Sequence, residues 1–262
     1  HHASQKDISG YDYSGGGFAA GGDTMIGKYF TSGAAFGYLS GNNDSRNHRA
    51  GIDQTSLMGM LYGNAFFSTG DRDSLVISMT GIYGHTDNKM NSIAGTEESL
   101  GGKWENNSWF VEMSATWYHD LGGQWTLSPF IGLEYETVRQ DAFTETGTYA
   151  RSFGSSTLHN LSLPVGIGLN KQTDLPGDIV WLNELKASYI PDIYRENPQA
   201  GATWRLNDFS WQARGVAPDR NAGRIELHTR LLFHNSWSIY AGYSVEGRKG
   251  SFRQNVNLGT SY

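Results

Sequence analysis

WTLSPFIGLEYETVRQ, from Trp125 to Gln140, is the stretch whose pattern says most about the fold of this chain. Apolar and polar side chains alternate along it, which is typical of a β-strand with two different faces. The apolar face consists of Trp125, Leu127, Pro129, Ile131, Leu133 and Tyr135. Glu134 and Glu136 lie on the opposite face. In a soluble sandwich the apolar face would meet a protein core, whereas in an outer-membrane barrel it would meet lipid.

Composition narrows the class of protein. The 262 residues suit one large all-β domain or two ordinary domains, and 38% of them are hydrophobic. No apolar run approaches the roughly 18 residues that a transmembrane helix needs, which excludes a helical membrane protein. The 34 glycines and the 13% of aromatic residues suit the strands of a barrel better than a disordered chain.

Several partners and cofactors are not expected. The net charge of −6 provides no basic footprint for nucleic acid. The chain has no cysteine, so it has neither disulfides nor a thiolate metal site. No helical His-x-x-x-His spacing is present, and we expect no metal and no cofactor. The opening residues His1 to Gln5 contain no apolar signal segment, so we interpret the chain as processed or trimmed, with the two histidines as the stub of a tag.

Short and long connections alternate along the chain. Short turns are predicted at Gly27-Lys28, Ser68 to Asp73, Asp120 to Gln124, Gln172 to Asp178 and His234 to Ser236. Longer loops are predicted at 42–50, 87–103, 141–153 and 191–221, with smaller hairpins near 6–11 and 247–250. This asymmetry is typical of outer-membrane barrels. Five tight turns and six outer connections would join 12 strands, the first of them incomplete.

The remaining predicted strands show the same parity, with almost all charges on one face. Parity alone fits both a sandwich and a barrel, because the two share the period of two. Ten or more residues per strand exceed the roughly 5–6 that are usual in soluble sheets. Aromatic residues also cluster at both ends of the strands, as in membrane girdles. We therefore predict an all-β, transmembrane outer-membrane β-barrel of 12 antiparallel strands in an up-and-down meander, with residues 1–262 as its single domain.

Six short segments carry a resemblance to a known family. They are Tyr11-Asp12-Tyr13 with Gly21-Gly22-Asp23, then Gly33-Ala34-Ala35-Phe36-Gly37-Tyr38, then LSPFIGLEY at 127–135 with FTETG at 143–147, and finally VNLGTSY at 256–262. With these motifs in this order and at this spacing, the chain resembles the β-domain, or translocator, of type V autotransporters. The resemblance implies a 12-stranded barrel whose lumen holds the segment that links the barrel to its passenger.

The resemblance also implies partners. They are the protein's own N-terminal passenger and luminal linker, the outer-membrane barrel assembly machinery, and lipid with lipopolysaccharide. The barrel itself would be a monomer. The last strand would be the assembly signal, through Val256, Leu258 and Tyr262, which we expect to lie on the lipid face and to pair this strand with the first one. Family members usually end in Phe, two residues beyond a Tyr of the same parity, and Tyr262 would correspond to that Tyr. The resemblance also implies a luminal helix before the first strand, and we expect it to have been removed together with the cleavage site and the other residues upstream of His1.

Charged side chains of one parity are expected to line the lumen. They are Glu112, Glu134, Glu136, Glu184, Lys186, Arg224, Glu226, His228, Arg230 and Arg253. In a functional interpretation they form a polar wall that lets an extended polypeptide pass and then holds the linker. In the alternative interpretation they are mutually neutralising ion pairs that only keep the interior wet. The two interpretations are compatible.

The predicted function is anchoring and assisted export of the passenger, without catalysis. A passive channel and a barrel enzyme are the alternatives. Some relatives cut their passenger with acidic luminal residues that activate an asparagine, and Glu112, Glu134 and Glu136 have the parity for this role. Other barrel enzymes need a clustered acid, His or Ser. The histidines at 85, 119, 159, 228 and 234 are instead scattered over different predicted strands.

Two local features carry further predictions. Pro129 lies inside a strand that should be fully paired, and it indicates a bulge because proline cannot donate to the ladder. The connection 191–221 is longer than an ordinary loop. It contains Trp204, Phe209, Trp211 and Arg214 and is predicted to extend a hairpin above the membrane. That hairpin would either assist the passenger or cap and stabilise the pore mouth.

Overall fold

The protein is built from β-strands. The computed structural model describes residues 2–5, 8–46, 49–94, 98–215, 217–234 and 236–262. The strands are β1 His2–Gln5, β2 Ile8–Ile26, β3 Phe30–Ser45, β4 Ala50–Ser68, β5 Asp73–Ala94, β6 Glu98–Gly122, β7 Trp125–Gln140, β8 Phe143–Thr144, β9 Arg151–Phe153, β10 Ser156–Ser162, β11 Val165–Leu175, β12 Ile179–Arg195, β13 Gln199–Trp204, β14 Ser210–Arg214, β15 Asn221–Leu232, β16 Ser238–Arg248 and β17 Ser251–Ser261. Among these residues no helix is long and apolar enough to cross a membrane.

The large sheet closes on itself. Its strands follow one another from β1 to β7, continue through β11 and β12, and β12 pairs with β15. From β15 the sheet runs through β16 and β17 back to β1. All these pairings are antiparallel. The described residues contain 17 strand segments, so the predicted number of 12 is not confirmed.

The predicted short turns coincide with the ends of strands. They join β2 to β3, β4 to β5, β6 to β7, β11 to β12 and β15 to β16. Left-handed backbone conformations occur there, with φ of 67° at Gly27 and 83° at Gly177. Such φ values favour glycine, which explains why these turns could be identified from the sequence. The last turn includes residue 235, which lies outside the described residues. We call this end of the barrel the tight-turn end and the opposite end the long-loop end.

The predicted loop at 87–103 was wrong. β5 continues to Ala94 and β6 begins at Glu98, in a register that pairs Asp87 with Glu105 and Ala94 with Glu98. The side chain of Asn88 is 3% exposed and donates to the carbonyl oxygen of Trp104 at 3.3 Å. Polar composition suggested a loop, but cross-strand hydrogen bonds keep this segment extended.

Two other predicted loops contain strands of their own. β8 and β9 lie within 141–153, and β13 and β14 lie within 191–221. Together they form a separate four-stranded sheet in the order β14-β13-β9-β8. The predicted hairpin is therefore confirmed, with Gln199 opposite Arg214 and Thr203 opposite Ser210. The bounds of the predicted connections at 6–11 and 42–50 were wrong, because β2 begins at Ile8, β3 continues to Ser45 and β4 begins at Ala50. Residues 6, 7, 47 and 48 lie outside the described residues. The turn predicted at 247–250 joins β16 to β17.

Prolines interrupt the ladder in a different way from the prediction. The bulge predicted at Pro129 is not found, because β6 and β7 keep one register on both sides of it and shift only between Asp120 and Gly122. A second proline, Pro164, separates β10 from β11. Both segments still pair with β7 in one register, and the carbonyl oxygen of Pro164 accepts a 2.8 Å hydrogen bond from the amide of Gly132. A proline can keep such an acceptor bond because it lacks only the donor.

The exposure of the apolar side chains separates the barrel from the sandwich. A sandwich of this size would bury many large aliphatic residues between its sheets. Among the described residues the buried hydrophobic side chains are Leu100, Ala150, Ile190, Ala202 and Ala222. The large apolar side chains point outward instead, for example Leu61 (69% exposed) and Leu185 (48%). An apolar exterior around a ring of strands is the arrangement of a membrane barrel.

Aromatic residues form two belts on this exterior. At the tight-turn end the exposed residues include Tyr29, Phe66, Trp125, Trp181 and Trp237. Toward the long-loop end they include Tyr83, Trp109, Tyr135 and Tyr189. The rings of Tyr83 and Trp109 lie 4.8 Å apart on neighbouring strands. Amphipathic rings favour the two membrane–water interfaces, so the belts mark the apolar band between them.

The last strand closes the ring differently from the prediction. We expected Val256, Leu258 and Tyr262 to pair β17 with the first strand. In the described residues β17 meets β1 only where Ser251 pairs with Ala3 and Phe252 pairs with His2. Val256 and Leu258 pair with Tyr243 and Ala241 of β16 on the other side. Their side chains are 73% and 79% exposed, on the apolar exterior.

Candidate functional site: the charged inner face

Glycines create room for large side chains on the inner face of the wall. A Cβ atom on Gly166 of β11 would lie 2.6 Å from Cε1 of Phe130 on β7. Lys186 of β12 then reaches over the same ring, with Nζ 4.4 Å from its centroid. A cation over an aromatic face is held by the ring quadrupole. The small residue therefore positions one of the predicted charges, Lys186, above an aromatic ring.

Arg224 joins three strands across the inner surface. Its Nη2 lies 2.8 Å from Oε2 of Glu246 on the neighbouring strand β16. Its Nη1 lies 3.7 Å from Oε1 of Glu134 on β7. In the wall β7 and β15 are separated by β11 and β12, so the guanidinium extends over both. Arg224 and Glu134 were both predicted, and the structure brings them together.

The charge network continues toward the long-loop end. Arg248 Nη2 lies 3.1 Å from Oε1 of Glu246, and Arg248 Nη1 lies 2.9 Å from Oδ2 of Asp192. Asp192 also meets Arg195 Nη1 at 2.7 Å and accepts a 3.2 Å hydrogen bond from the hydroxyl of Ser162. The side chain of Asp192 is fully buried. A buried carboxylate needs such partners, because desolvation would otherwise disfavour its charge.

The other predicted charges are distributed along the same face. In the strand register Glu112 is opposite Glu134, Lys186 is opposite Glu226, and Glu184 is opposite His228. Arg230 donates to the hydroxyls of Ser238 and Ser261 at 2.9 and 2.7 Å. Glu136 and Arg253 line one cavity of about 750 Å³ near the start of β2. The ten residues thus do not form one compact site.

Sequence reasoning missed four members of the network, namely Asp192, Arg195, Glu246 and Arg248. Asp192 was missed because 191–221 was interpreted as a connection. The inward parity of β12 that begins with Glu184 and Lys186 nevertheless continues to Asp192. Extending that alternation by three residues would have found it. Arg195 was missed because it has the opposite parity from Asp192, three residues before it, and Arg248 because it contacts an aspartate 56 positions away.

Beside this network, hydrogen bonds fix the carboxylate of Asp219 in the connection to β15. The backbone amide and the side-chain amide of Asn221 both donate to Oδ1 of Asp219, at 2.9 and 3.1 Å. These bonds to the charged form lower the pKa of the Asp219 carboxyl below its ordinary value. Asp219 therefore stays ionised at neutral pH.

One group on the exterior has side chains of the types that bind metals. His85 Nε2 lies 3.9 Å from Asp87 Oδ1 and from Glu105 Oε2. The three ligand-type atoms lie within 4.8 Å of one another on β5 and β6. The carboxylates are mostly exposed, and such groups are common on surfaces. The sequence pattern did not reveal the group, because strand pairing brings Glu105 beside Asp87.

Asp192 provides a test of the network by stability. Replacing Asp192 by Asn removes the charge that holds Arg195 and Arg248, and leaves both guanidiniums beside a neutral group. We expect the free energy of unfolding to fall by about 3 kcal/mol. The measurement is the urea midpoint of the barrel refolded in detergent micelles. Asp178→Asn is the control, since Asp178 is 82% exposed and its contact with His234 is 3.6 Å. Equal midpoints for the two variants would contradict the assigned role of Asp192.

Comparisons with known proteins give relatives in sequence and in structure. "Probable outer membrane protein pmp19" of Chlamydia pneumoniae is 33% identical over 162 residues, which cover 61% of this chain and 17% of that protein. "Probable outer membrane protein pmp20" of the same organism is 24% identical over 270 residues, which cover 98% of this chain and 15% of that protein. The chain thus spans less than one fifth of the length of these two curated relatives.

The solved structures that are similar agree with the fold. The translocator domain of the autotransporter NalP from Neisseria meningitidis superimposes with a TM-score of 0.74 at 19% identity, over 97% of this chain and 82% of that chain. The transport unit of the autotransporter AIDA-I from Escherichia coli gives 0.67 at 15% identity, over 100% and 86%. The family model "Autotransporter beta-domain" matches residues 1–244. The chain belongs to the autotransporter β-domain family.

Proposed function

We propose that this chain is an outer-membrane translocator, which anchors an N-terminal passenger and assists its export to the cell surface. The observation that carries the proposal is the contrast between the two faces of one closed ring of strands. The exterior is apolar between aromatic belts, and the interior holds a connected network of charges. The match to the autotransporter family supports the same function.

The ten predicted charged residues are proposed to line the lumen. Arg224 supports this assignment, because its contacts with Glu134 and Glu246 cross the inner surface rather than the exterior. A wall of paired charges offers polar groups to an extended chain at every height without a strong net field. It would let a polypeptide slide past and then hold a linker by hydrogen bonds. The ten residues are Glu112, Glu134, Glu136, Glu184, Lys186, Arg224, Glu226, His228, Arg230 and Arg253.

The remaining partners follow from the same proposal. We infer that the 262 residues act as one monomeric barrel domain, surrounded by lipid and lipopolysaccharide. The last strand would be recognised by the barrel assembly machinery through Val256, Leu258 and Tyr262. Their high exposure on the exterior supports this role, because a recognition signal has to be accessible before closure. The proposal includes no nucleic acid and no cofactor.

The barrel is proposed to act without catalysis of its own. Four described histidines have separate partners in different places: Asn107 for His85, Asp73 for His119, Tyr135 for His159 and Asp178 for His234. A nucleophile with a general base requires such groups to converge. Glu112 and Glu134 are adjacent in the register, yet Glu134 lies within reach of Arg224. That ion pair favours a structural role for Glu134 over activation of an asparagine.

A reporter passenger tests the function. The chain would be expressed with a signal peptide and a protease-sensitive reporter fused ahead of His1. We expect external protease to digest the reporter on intact cells, while the barrel keeps its heat-modifiable gel mobility. The passive-channel alternative is correct if three results occur together: the barrel inserts, the reporter stays inside the cell, and the purified barrel conducts steadily in planar bilayers. A barrel without the reporter should conduct more than one whose lumen holds the linker.

A further inference from the structure

A cavity lies inside the long-loop end of the barrel. It has a volume of about 440 Å³, between the inner face of β6, β7 and β10 and the hairpin β13–β14. Trp104, Asn106, Phe143, Phe153, Pro198 and Arg214 are among its lining residues. We call it the vestibule cavity. Its size falls within the range of ordinary ligand pockets, which suits a short peptide segment rather than a folded domain.

An aromatic shelf forms one side of the vestibule cavity. The rings of Trp104 and Phe143 stack with centroids 4.4 Å apart, and those of Phe143 and Phe153 stack at 4.8 Å. Arg151 lies over Phe153 at 5.5 Å from the ring centroid. Its guanidinium is held by the buried Glu145, with Nε donating to Oε2 at 2.7 Å. The shelf is therefore fixed before any ligand arrives, which lowers the entropic cost of binding.

Two buried polar atoms beside the shelf have no hydrogen-bond partner. Among the described residues, Trp104 Nε1 and Asn106 Oδ1 are both shielded from solvent and unpaired. An unsatisfied buried polar group costs about 1–3 kcal/mol, so native proteins rarely keep one without a purpose. Trp104 supplies a donor and Asn106 an acceptor. They are two positions apart on β6, so their side chains leave the same face of the strand and their Cα atoms are about 6.7 Å apart.

This arrangement matches the backbone of an extended polypeptide. A strand-like segment presents both carbonyl and amide groups along each of its edges, so one edge offers an acceptor and a donor to the pair. Its carbonyl oxygen would accept from Trp104 Nε1, and its amide would donate to Asn106 Oδ1. An apolar side chain of the segment would then pack on the aromatic shelf. Recognition through backbone groups suits a ligand that presents many different side chains in turn.

We propose that the vestibule cavity binds an extended segment of the passenger as it leaves the lumen. The proposal rests on the export function proposed above. The cavity opens on the inner face at the end where the long connections lie, in the path of a chain that passes through the barrel. The two curated relatives are long enough to contain such a chain, because 83% and 85% of their residues lie outside the matched regions. The hairpin β13–β14 acts as the outer wall of this binding site.

Photo-crosslinking tests the proposal in the membrane-inserted protein. A benzophenone amino acid would replace Leu158, which lines the cavity, in a barrel whose reporter passenger is arrested in transit by a disulfide-closed loop. We expect an adduct with the passenger. In the double variant Trp104→Phe with Asn106→Leu, the adduct should fall at least about fivefold, the effect of losing one ordinary hydrogen bond. Yields are normalised to the heat-modifiable, folded barrel.

Matched controls separate the possible outcomes. Trp211→Phe removes an indole N–H from the hairpin β13–β14, at a position that does not line the cavity. This variant should leave the adduct unchanged. An unchanged adduct in the double variant would overturn the proposed role of the two polar atoms. The same benzophenone amino acid would also replace Glu112, on the inner face of β6 outside the vestibule cavity. An adduct from position 112 but none from position 158 would overturn the vestibule site and leave the export function intact. Failure of the unarrested reporter to reach the surface would overturn the export function itself.

Discussion

Arginine in place of Met79 or Leu133 should prevent stable insertion of the barrel. Both side chains are about half exposed on the exterior, at 53% and 45%. The strand register places Met79 opposite Met113, and Met113 opposite Leu133, so the three lie side by side across neighbouring strands. An arginine on the lipid face near the membrane midplane costs about 2–4 kcal/mol. Heat-modifiable gel mobility of the membrane fraction measures the outcome.

Ser78→Arg is the matched control, because Ser78 precedes Met79 and faces the other side of the wall. Its register partners Asn64 and Ser114 are small and polar, so a long charged side chain has room and water there. Gly132 would be an unsuitable control, since a Cβ atom there would lie 3.0 Å from Cγ of Pro164. We expect the Ser78 variant to insert. If Ser78→Arg and Met79→Arg reduced insertion equally, the assignment of Ser78 to the inner face and Met79 to the lipid face would be contradicted.

Deleting Gly259 to Tyr262, with any residues that follow them, should abolish assembly. Three of the four deleted residues pair with β16, where Gly259 is opposite Tyr240 and Ser261 is opposite Ser238. The deletion leaves the backbone groups of Ser238, Ile239 and Tyr240 without these partners, and each unpaired backbone group in a membrane costs several kcal/mol. The protein should therefore remain in the periplasm, aggregated or degraded. Fractionation followed by heat-modifiable mobility measures this result.

Ser261→Ala serves as the control for the deletion. It removes the hydroxyl that contacts Ser238 Oγ and Arg230 Nη2, both at 2.7 Å, but keeps the backbone ladder. We expect this variant to assemble. If the truncated protein still inserts as a compact, heat-modifiable barrel, the last residues are not needed for closure or for recognition.

The strands and tight turns could be predicted because they depend on local chemistry. Alternation along 125–140 and glycines in turns such as Gly27 and Gly177 are visible in the sequence, and the structure has strands and turns there. The 87–103 segment was misjudged because strand pairing beyond the apolar band requires no apolar residues. Hydrogen bonds such as that from Asn88 to Trp104 stabilise it, and its polar composition resembles that of a loop.

The inner face could be predicted only in part. Parity identified which charges share a side, but it contains no information about contacts between strands that are far apart. The contact between Arg224 and Glu134 crosses two intervening strands, and the pair of Arg248 with Asp192 joins residues 56 positions apart. The vestibule cavity was missed for the same reason, because its hairpin wall and its aromatic shelf come from different connections.

The length of the β5–β6 ribbon has a consequence for the cell surface. β5 has 22 residues and β6 has 25, so the ribbon measures about 70 Å along the strands. At a tilt of roughly 45° it reaches a height of about 50 Å, against about 30 Å of hydrocarbon. About 20 Å of this ribbon therefore extends beyond the hydrocarbon at the long-loop end. The proposed export function places this end outside the cell, so an antibody against an epitope inserted between Ala94 and Glu98 should bind intact cells and would report the orientation of the barrel.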